Sequence, residues 1–355
     1  MTYFTNPIIS EAVRVMVLTM ISFIVALILA PLWFRVLKKY RFGKHLREAS
    51  VAPIFYQFHK NKEGVPTAAG VIIWGTVVIL AVFFGVMGIF FDGMWHYFNF
   101  ISRPETYLPL TALVIAAVLG FIDDWLGVLH IGGASGGGLT VRWKSVVYVG
   151  LALVGAWWFY VRLGWDVLNV PFFGNVQIGI WYIPIFIFIV FASAFSANET
   201  DGLDGLLGGV SLFAFFALTA VSFSLHRYDL AAFCGAMIGA LLAFLWNNIY
   251  PAKFFMGDTG SMSLGITIGV VAMLTNTALL LPFFAVILVI ESMSVIIQIT
   301  SKKLRHGKKV FRSSPIHHHF EALGWPESQI TMRFWIISAV FVALGLAIFF
   351  VSRMI

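Results

Sequence analysis

Charged residues are scarce in this sequence: they make up 11% of its 355 residues, whereas 60% are hydrophobic. A soluble domain has about 25% charged residues, so this chain cannot cover a water-exposed surface. Cysteine is scarcer still, because the single one, Cys234, lies within an apolar run. A disulfide framework is therefore excluded, and we expect Cys234 to be a small buried apolar side chain.

Long uncharged runs, by contrast, are abundant. Residues 178–197, 206–225 and 230–249 each extend for 20 residues without a charge, the length that a helix needs to cross about 30 Å of hydrocarbon. The apolar run after Arg14 continues to residue 34, which is too long for the hydrophobic part of a signal peptide. The sequence predicts an all-α polytopic membrane protein that forms a single domain over residues 1–355.

The apolar segments predict about ten transmembrane helices. They are centred on residues 15–34, 68–91, 106–122, 145–161, 178–197, 206–225, 230–249, 261–279, 281–300 and 334–352. Residues 260–300 contain a single charge but are twice as long as one span, and Asn276, Thr277 and Pro282 favour a turn between two helices.

The lysines and arginines orient these helices. The loops after the odd-numbered helices, with their flanks, contain 18 of the 23 cations, and the remaining five are Arg14, Arg103, Arg162, Arg227 and Arg353. The positive-inside rule therefore predicts that both termini are periplasmic or extracellular and that the odd loops are cytoplasmic. The net charge of +7 is a signal of topology, and we expect no nucleic-acid partner.

Only 16 residues are acidic, so the positions of the acidic clusters are informative. The clusters, together with a run of histidines, all fall on the loops that the cations place in the cytoplasm. They are Asp123–Asp124 at the end of the third helix, Glu199, Asp201 and Asp204 between the fifth and sixth, Asp258 before the eighth, and His317–His319 before the tenth.

Each acidic cluster also has a structural explanation. Asp123 and Asp124 could be a solvated helix end, although two carboxylates there oppose the helix dipole. An N-cap role explains one aspartate of residues 198–205 but not three acids. Asp258 is flanked by glycines and could be a turn residue. Both explanations stay open for each cluster, and the functional one is favoured where several carboxylates occur together.

Three other features have less specific meanings. Consecutive histidines point apart and lack cysteine partners, so His317–His319 favour hydrogen bonding or phosphate contact over zinc. Glu291, alone within the ninth helix, is either functional or a buried structural partner. The glycine-rich residues 131–139 lack the Gly-Lys-Ser/Thr ending of a P-loop and favour a flexible linker.

Carboxylates on loops beside a cationic membrane surface are suited to one kind of chemistry. One or two carboxylates can hold Mg²⁺ while substrate phosphates complete its coordination shell. A site at the membrane surface can receive one substrate from the lipid and another from the cytosol. The residues thus predict a Mg²⁺-dependent transfer between a soluble phosphorylated donor and a lipid acceptor.

At these residues the chain resembles the polyprenyl-phosphate N-acetylhexosamine-1-phosphate transferases. The shared motifs are Asp123-Asp124, the segment from Asn198 to Asp204, and Phe255-Met256-Gly257-Asp258. The run from Pro315 to Glu321, which contains the three histidines, is similar to the branch of the family that transfers phospho-N-acetylmuramoyl-pentapeptide. The matches extend from residue 60 to residue 335.

The resemblance implies transfer of phospho-MurNAc-pentapeptide from UDP-MurNAc-pentapeptide to undecaprenyl phosphate, with Mg²⁺, in the bacterial inner membrane. It implies a ten-helix homodimer with the active site facing the cytoplasm. By matching motifs, Asp258 holds the metal, and Asp123 and Asp124 serve the acceptor phosphate and catalysis. The substrate-binding residues implied in the same way are Lys62, Thr67, Asn198, Asp201, Asp204, Asn248, Phe255, Gln298, His317, His318 and His319.

The sequence departs from the family pattern at two positions near the expected phosphate site. Gly127 stands where a lysine commonly follows the aspartate pair, and Glu199 stands where an apolar residue is usual. Two alternatives also remain: a relative that uses UDP-GlcNAc as donor, and an ion-coupled transporter. A transporter is disfavoured because its sites usually lie near the membrane midplane on broken helices.

Overall fold

The structure is a computed structural model that describes residues 6–43, 62–101, 103–132 and 137–354. Lys44, Arg47 and Lys60 of the cation count, and Gly133 and Gly136 of the glycine-rich segment, lie outside these residues. The helices are α1 (Pro7–Lys39), α2 (Val71–Phe90), α3 (Met94–Phe98), α4 (Pro104–Val128), α5 (Val141–Trp157), α6 (Tyr182–Thr200), α7 (Leu206–Ser224), α8 (Tyr228–Asn248), α9 (Asp258–Leu274), α10 (Leu281–Phe284), α11 (Val286–Leu304), α12 (Ile316–Ala322) and α13 (Glu327–Val351).

The prediction of an all-helical polytopic membrane protein is confirmed. Eight helices of the described chain are long and apolar enough to cross a membrane, namely α1, α2, α4, α5, α6, α7, α8 and α13. A ninth candidate combines residues 278–284 with α11, which meet at a bend of 90°. The predicted number of ten is too high by this measure because α9 has only 17 residues, a length of about 26 Å.

Helix α9 lies at the centre of the bundle. Each of its residues from Thr259 to Leu274 is buried, and it packs against α4 and α6. A helix that is apolar on all sides needs neighbours on all sides, which explains why this short helix still folds. At its first turn α4 approaches so closely that a Cβ on Gly120 would overlap the carbonyl oxygen of Asp258.

The predicted break within residues 260–300 is confirmed. Helix α9 ends at Leu274, and α10 and α11 follow a short turn. Asn276 adopts a φ of 53° in that turn, a left-handed conformation that asparagine tolerates better than most residues. The seven lysines and arginines of residues 301–333 therefore lie at or beyond the last turn of α11, a helix separate from α9, as the cation count requires.

Helix α4 differs from the prediction at its C-terminal end. The sequence predicts that this helix ends at Asp123 and Asp124, but the helix continues to Val128. The two carboxylates do not have to end the helix, because backbone N–H groups of other segments donate to them. This compensates the unfavourable position near the helix C-terminus.

A β-hairpin lies between α5 and α6, where the sequence analysis expects no strand. Strands β1 (Val167–Val170) and β2 (Gly174–Gln177) pair antiparallel, with Val167 opposite Gln177. Strands of four residues are too short for an alternating pattern to distinguish them from a loop. At the opposite end of the bundle, α4 and α6 end where α5 and α9 begin, and this end contains the candidate site.

Candidate active site

A cavity of about 270 Å³ opens at this end of the bundle. Of the described residues that line it, four are aspartates and one is a lysine, so carboxylates outnumber cations among them. They are Asp123, Asp124, Asp201, Asp258 and Lys144, and the other lining residues are Gly43, Thr67, Gly127, Val128, Gly137, Gly138, Leu139, Asn198 and Gly257. The structure therefore brings together six of the predicted site residues around one cavity.

Lys144, on the first turn of α5, joins two of the aspartates. Its Nζ lies 2.7 Å from Oδ2 of Asp123 and 2.7 Å from Oδ2 of Asp258. Asn198, near the end of α6, donates from its side-chain amide to Oδ1 of Asp258, and the backbone N–H of Leu139 donates to Oδ1 of Asp123. One ammonium thus holds two carboxylates from different helices beside the cavity.

Asp124 has a different environment from Asp123. Its Oδ1 accepts from the backbone N–H of Asp258 at 2.9 Å, and its Oδ2 accepts from that of Thr259 at 3.0 Å. These are among the first N–H groups of α9, which have no partner within the helix. Asp124 therefore caps α9 from the neighbouring helix α4 and fixes the position of Asp258.

A second cluster surrounds Lys62. Its Nζ lies 2.6 Å from Oδ1 of Asp204 and 2.5 Å from Oε1 of Glu327, the first residue of α13. Oε1 of Glu327 also accepts from the backbone N–H of Asp204 at 2.6 Å, and Oδ2 of Asp204 accepts from that of Ala252 at 2.9 Å. Asp204 is buried, so its carboxylate holds protein segments together.

Asn248 and Phe255 lie beside this second cluster. Asn248 Oδ1 accepts from the backbone N–H of Gly205 at 3.1 Å, and its Nδ2 donates to the carbonyl of Phe254 at 2.8 Å. The Phe255 ring has Lys62 Nζ 5.8 Å from its centroid. The backbone N–H of Phe255 donates to Pro66, which places the cavity residue Thr67 next to this cluster.

The third cluster contains Gln298 and the three histidines. Gln298 on α11 accepts from the backbone N–H groups of Val310 and Phe311 and donates to the Phe311 carbonyl. His317 Nδ1 lies 3.0 Å from Oε2 of Glu291, and the rings of His317 and His318 have centroids 4.1 Å apart. Nδ1 of His318 lies 2.6 Å from Oε2 of Glu321, and Nδ1 of His319 accepts from the backbone N–H of Arg312.

His317 is fully buried, and its pKa reflects both this burial and the neighbouring Glu291 carboxylate. Burial lowers the pKa of His317, but the Glu291 carboxylate opposes this effect, and the net result is a pKa above its ordinary value. The side chain of His317 is 1% exposed and that of Glu291 is 0% exposed. His317 is thus buried, whereas His318 and His319 are partly exposed.

Residues 198–205, which we call the acidic segment, contact all three clusters. Asn198 and Asp201 line the cavity, Asp204 pairs with Lys62, and Gly202 packs against the His317 ring so closely that a Cβ there would overlap Nε2. The concentration of acids within this segment was thus a useful signal in the sequence. The three clusters are therefore connected by this one segment. Only six of the predicted site residues line the cavity itself.

Two charged residues of the site, Lys144 and Glu327, had no role assigned from the sequence, and the role of a third, Glu291, was left open between two alternatives. Lys144 entered only as part of the cation count, and Glu327 was given no role. Lys144 and Glu327 lie on the first turns of membrane-spanning helices, near the membrane surface, whereas a charged side chain deep within a span indicates function by default. The same criterion had singled out Glu291, which the structure places on His317.

Among the described residues the cavity offers carboxylate oxygens but no complete site for a cation. In the described chain no three His, Cys, Asp or Glu side chains are close enough together to hold an ion by themselves. Asp123 and Asp258 do converge, however, from opposite sides of one ammonium. Carboxylate oxygens in pairs are the donors that Mg²⁺ uses when phosphates supply further ligands.

Comparison with known proteins identifies relatives of this chain. Residues 106–276, which contain the aspartate pair, the acidic segment and Asp258, match the family model described as glycosyl transferase family 4. A phospho-N-acetylmuramoyl-pentapeptide-transferase of Chloroflexus aggregans is 35% identical over 353 residues, which cover 96% of this chain and 91% of that protein. Proteins of the same name from a Geobacillus species and from Clostridium perfringens are 38% and 36% identical and cover 94% of this chain.

The fold and the site thus define a multi-pass membrane protein of the glycosyl transferase class. At this identity over nearly the whole chain, the protein belongs to the phospho-N-acetylmuramoyl-pentapeptide-transferase family. The resemblance drawn from the sequence motifs is therefore confirmed at the level of the family.

Proposed function

We propose that this protein transfers phospho-MurNAc-pentapeptide from UDP-MurNAc-pentapeptide to undecaprenyl phosphate, giving lipid I and UMP, in the first membrane step of peptidoglycan synthesis. The observation that carries the proposal is the cavity in which Asp123, Asp258 and Lys144 meet beside Asn198. The name of the relatives supports the identity of the transferred group. The enzyme would work as a homodimer in the bacterial inner membrane.

The proposal places the cavity on the cytoplasmic face. The cation distribution supports this orientation through the positive-inside rule. A cavity at the end of a membrane-spanning bundle allows a water-soluble nucleotide donor to enter from the cytosol. The lipid acceptor can at the same time present its phosphate from the bilayer, so neither substrate has to cross the membrane.

We assign the metal to Asp258, with Asp123 as its neighbour. Bound Mg²⁺ would reduce the repulsion between the donor diphosphate and the acceptor phosphate. Lys144, which contacts both carboxylates, supplies a further positive charge at the same place. Asp124 contributes through the position of α9, because both of its oxygens accept from the backbone of that helix.

The acceptor phosphate attacks the β-phosphorus of the donor directly in this proposal, and UMP leaves. The second pKa of a phosphate monoester is about 6, so the acceptor is largely a dianion at neutral pH and needs little general-base assistance. Asp123 orients the acceptor or takes its residual proton. The rival is a two-step route in which an aspartate attacks the β-phosphorus, UMP leaves, and phospho-MurNAc-pentapeptide stays bound to that aspartate through its phosphate. Isolation of this adduct after addition of donor without lipid would establish that rival.

The donor's nucleoside and sugar are assigned to the wall formed by the acidic segment, Phe255 and the histidine helix α12. Phe255 offers an aromatic face, and Lys62 lies close to it. Thr67, Asn198 and Asp201 line the cavity. Asp204, Asn248 and Gln298 hold neighbouring segments through their side chains, so their part in binding is to keep the wall in place.

One assay tests the proposal and separates it from its alternatives. Purified protein in detergent is incubated with undecaprenyl phosphate and either UDP-MurNAc-pentapeptide or UDP-GlcNAc, with Mg²⁺ or with a chelator, and UMP is measured. We expect Mg²⁺-dependent UMP release from the muramoyl donor. Release from UDP-GlcNAc alone would assign the related transferase, and release from neither donor would contradict the proposal and favour a transport function. Light scattering of the same preparation tests the homodimer.

A further inference from the structure

Glu291 is the one charged residue between residues 259 and 301. Its side chain is fully buried within α11. A carboxylate in such an environment is costly unless it is paired and hydrogen-bonded. It does not line the cavity of the candidate active site. Its retention inside a membrane helix therefore needs an explanation other than direct contact with a substrate.

The partner of Glu291 is His317, the first of the three histidines. Oε2 of Glu291 accepts from the imidazole at Nδ1, at a distance of 3.0 Å. The other ring nitrogen, Nε2, is buried and has no hydrogen-bond partner among the described residues. This hydrogen bond therefore determines the orientation of the ring, because the described residues offer it no competing polar contact.

The far edge of the same ring presses on the acidic segment. A Cβ built on Gly202 would overlap Nε2 of His317 and would come 2.7 Å from its Cε1. Glycine is thus required at residue 202 so that the imidazole can reach the backbone. Because Asp201 lines the cavity and precedes Gly202, the position of the His317 ring is transmitted to the cavity wall through a single residue.

The same face of α11 also holds the chain that leads to the histidines. Gln298, two helical turns after Glu291, binds the backbone of Val310 and Phe311. The hydroxyl of Ser301 donates to the carbonyl of Lys308 at 2.9 Å. Three polar side chains of one helix therefore fix residues 308–317, and Glu291 is the one whose contact continues to the acidic segment.

We propose that Glu291 is a positioning residue for donor binding: through His317 it fixes Gly202 and hence the part of the cavity wall that Asp201 provides. The inference rests on the function proposed above. It assigns a role to a side chain that touches neither cavity nor substrate. It also explains why a membrane helix contains a carboxylate at this position.

The test compares substitutions that fill the same space. Glu291→Leu removes the acceptor, whereas Glu291→Gln keeps an oxygen that can accept from Nδ1. We expect Glu291→Leu to raise the KM for the UDP donor about tenfold, the usual order for loss of a hydrogen bond to a charged group. The KM for undecaprenyl phosphate stays unchanged, and Glu291→Gln recovers most of the donor affinity. A role in space filling alone would make the two variants equal.

Gly202→Ala provides the second variant, because it disturbs the same contact without a change in the membrane helix. We expect a similar rise in donor KM, and less than the sum of the two effects in the double variant Glu291→Leu/Gly202→Ala. Ser294→Ala, one turn along α11, is the matched control: it removes a buried hydroxyl whose one hydrogen bond within the described chain is to the Glu291 carbonyl, and it should keep both KM values.

The outcomes separate this inference from the proposed function. Wild-type protein that releases no UMP from either donor contradicts the proposed function itself. Active wild-type protein whose Glu291→Leu and Gly202→Ala variants keep the wild-type donor KM overturns the positioning role alone. Equal changes in kcat, in both KM values and in the unfolding temperature would also overturn it, because they indicate a general loss of structure.

Discussion

Two ionic clusters lie at opposite ends of helix α1, and they differ in charge balance. Near its start, Arg14 pairs with Asp229 at 2.7 Å and Glu11 at 3.1 Å, and Arg103 lies 3.9 Å from Asp229. Two cations thus meet two carboxylates. Near its other end, the described residues that surround the cavity include four aspartates and one lysine. The charges of the first cluster balance, whereas the described residues of the second have an excess of carboxylates beside an open space.

This difference indicates what each cluster does. A balanced pair that is hydrogen-bonded on several sides joins elements, and Arg14 accordingly donates to the Asn99 carbonyl as well, linking α1, α8 and the segment after α3. An unbalanced group of carboxylates is costly for the folded protein by itself. It becomes favourable when a cation and the phosphates of a substrate complete it, so the cavity cluster is the one suited to chemistry.

The largest effect is expected from Asp258→Asn, because this change removes the carboxylate assigned to the metal. We expect kcat to fall about 10³-fold, as for loss of one strong transition-state contact, with little change in the unfolding temperature. UMP release and thermal unfolding in detergent measure the two quantities.

Asp229→Asn is the matched control at the other end of α1. It leaves the buried Arg14 without its closest carboxylate and should destabilise the protein by about 3 kcal/mol, while kcat stays near the wild-type value. If the two variants exchanged these phenotypes, the assignment of one cluster to chemistry and the other to structure would be wrong.

The sequence predicts the fold well and the site partly, for a physical reason. A lipid bilayer demands long apolar segments, so the helices are visible from composition alone, and only the short, enclosed helix α9 distorts the count. Acidic residues are few, and their clusters were therefore visible as well. What each carboxylate contacts was not visible: Lys144 and Asp258 are 114 positions apart, and Lys62 and Glu327 are 265 apart. Such pairs depend on helix packing, which no local pattern encodes.

Glu327→Gln tests a cluster of intermediate character, in which one ammonium meets two carboxylates. The change weakens the hold on Lys62, whose Nζ lies 2.5 Å from Glu327, and on the N–H of Asp204. We expect the KM for the UDP donor to rise about tenfold with a smaller change in kcat.

The control for this variant is Thr331→Val, which removes a neutral hydrogen bond to the Asp204 carbonyl at 3.1 Å. It should raise the donor KM less than about threefold. Equal effects of the two variants would show that the charge of Glu327 is unimportant and that the cluster is purely structural.

Gly127→Lys reduces the charge imbalance directly. Gly127 lines the cavity, and a Cβ there meets no atom of the described residues within 4 Å, which leaves room among them for a longer side chain. A second ammonium should lower the KM for undecaprenyl phosphate about two- to fivefold, the range for a solvent-exposed charge pair.

Gly127→Ser provides the neutral comparison for this substitution, because it removes the same helix-destabilising glycine without adding charge. An improvement with serine as large as that with lysine would trace the effect to the helix. Acceptor titrations at fixed donor concentration measure the change for both variants.

The smallest expected effect is a difference in pH dependence between the Glu291–His317 pair and the Arg14–Asp229 pair. The pKa of His317 is raised by Glu291 against the effect of burial, so their ion pair stabilises the protein fully below about pH 6.5 and is lost as the pH rises through the raised pKa. The difference in unfolding temperature between wild type and Glu291→Gln should therefore shrink from about pH 6 to about pH 9. His318 and Glu321, which lie beside His317, are present in both proteins and cancel in the difference. Arginine does not titrate in this range, so the corresponding difference for Asp229→Asn should stay constant; a parallel decline there would show that the pH dependence does not come from His317.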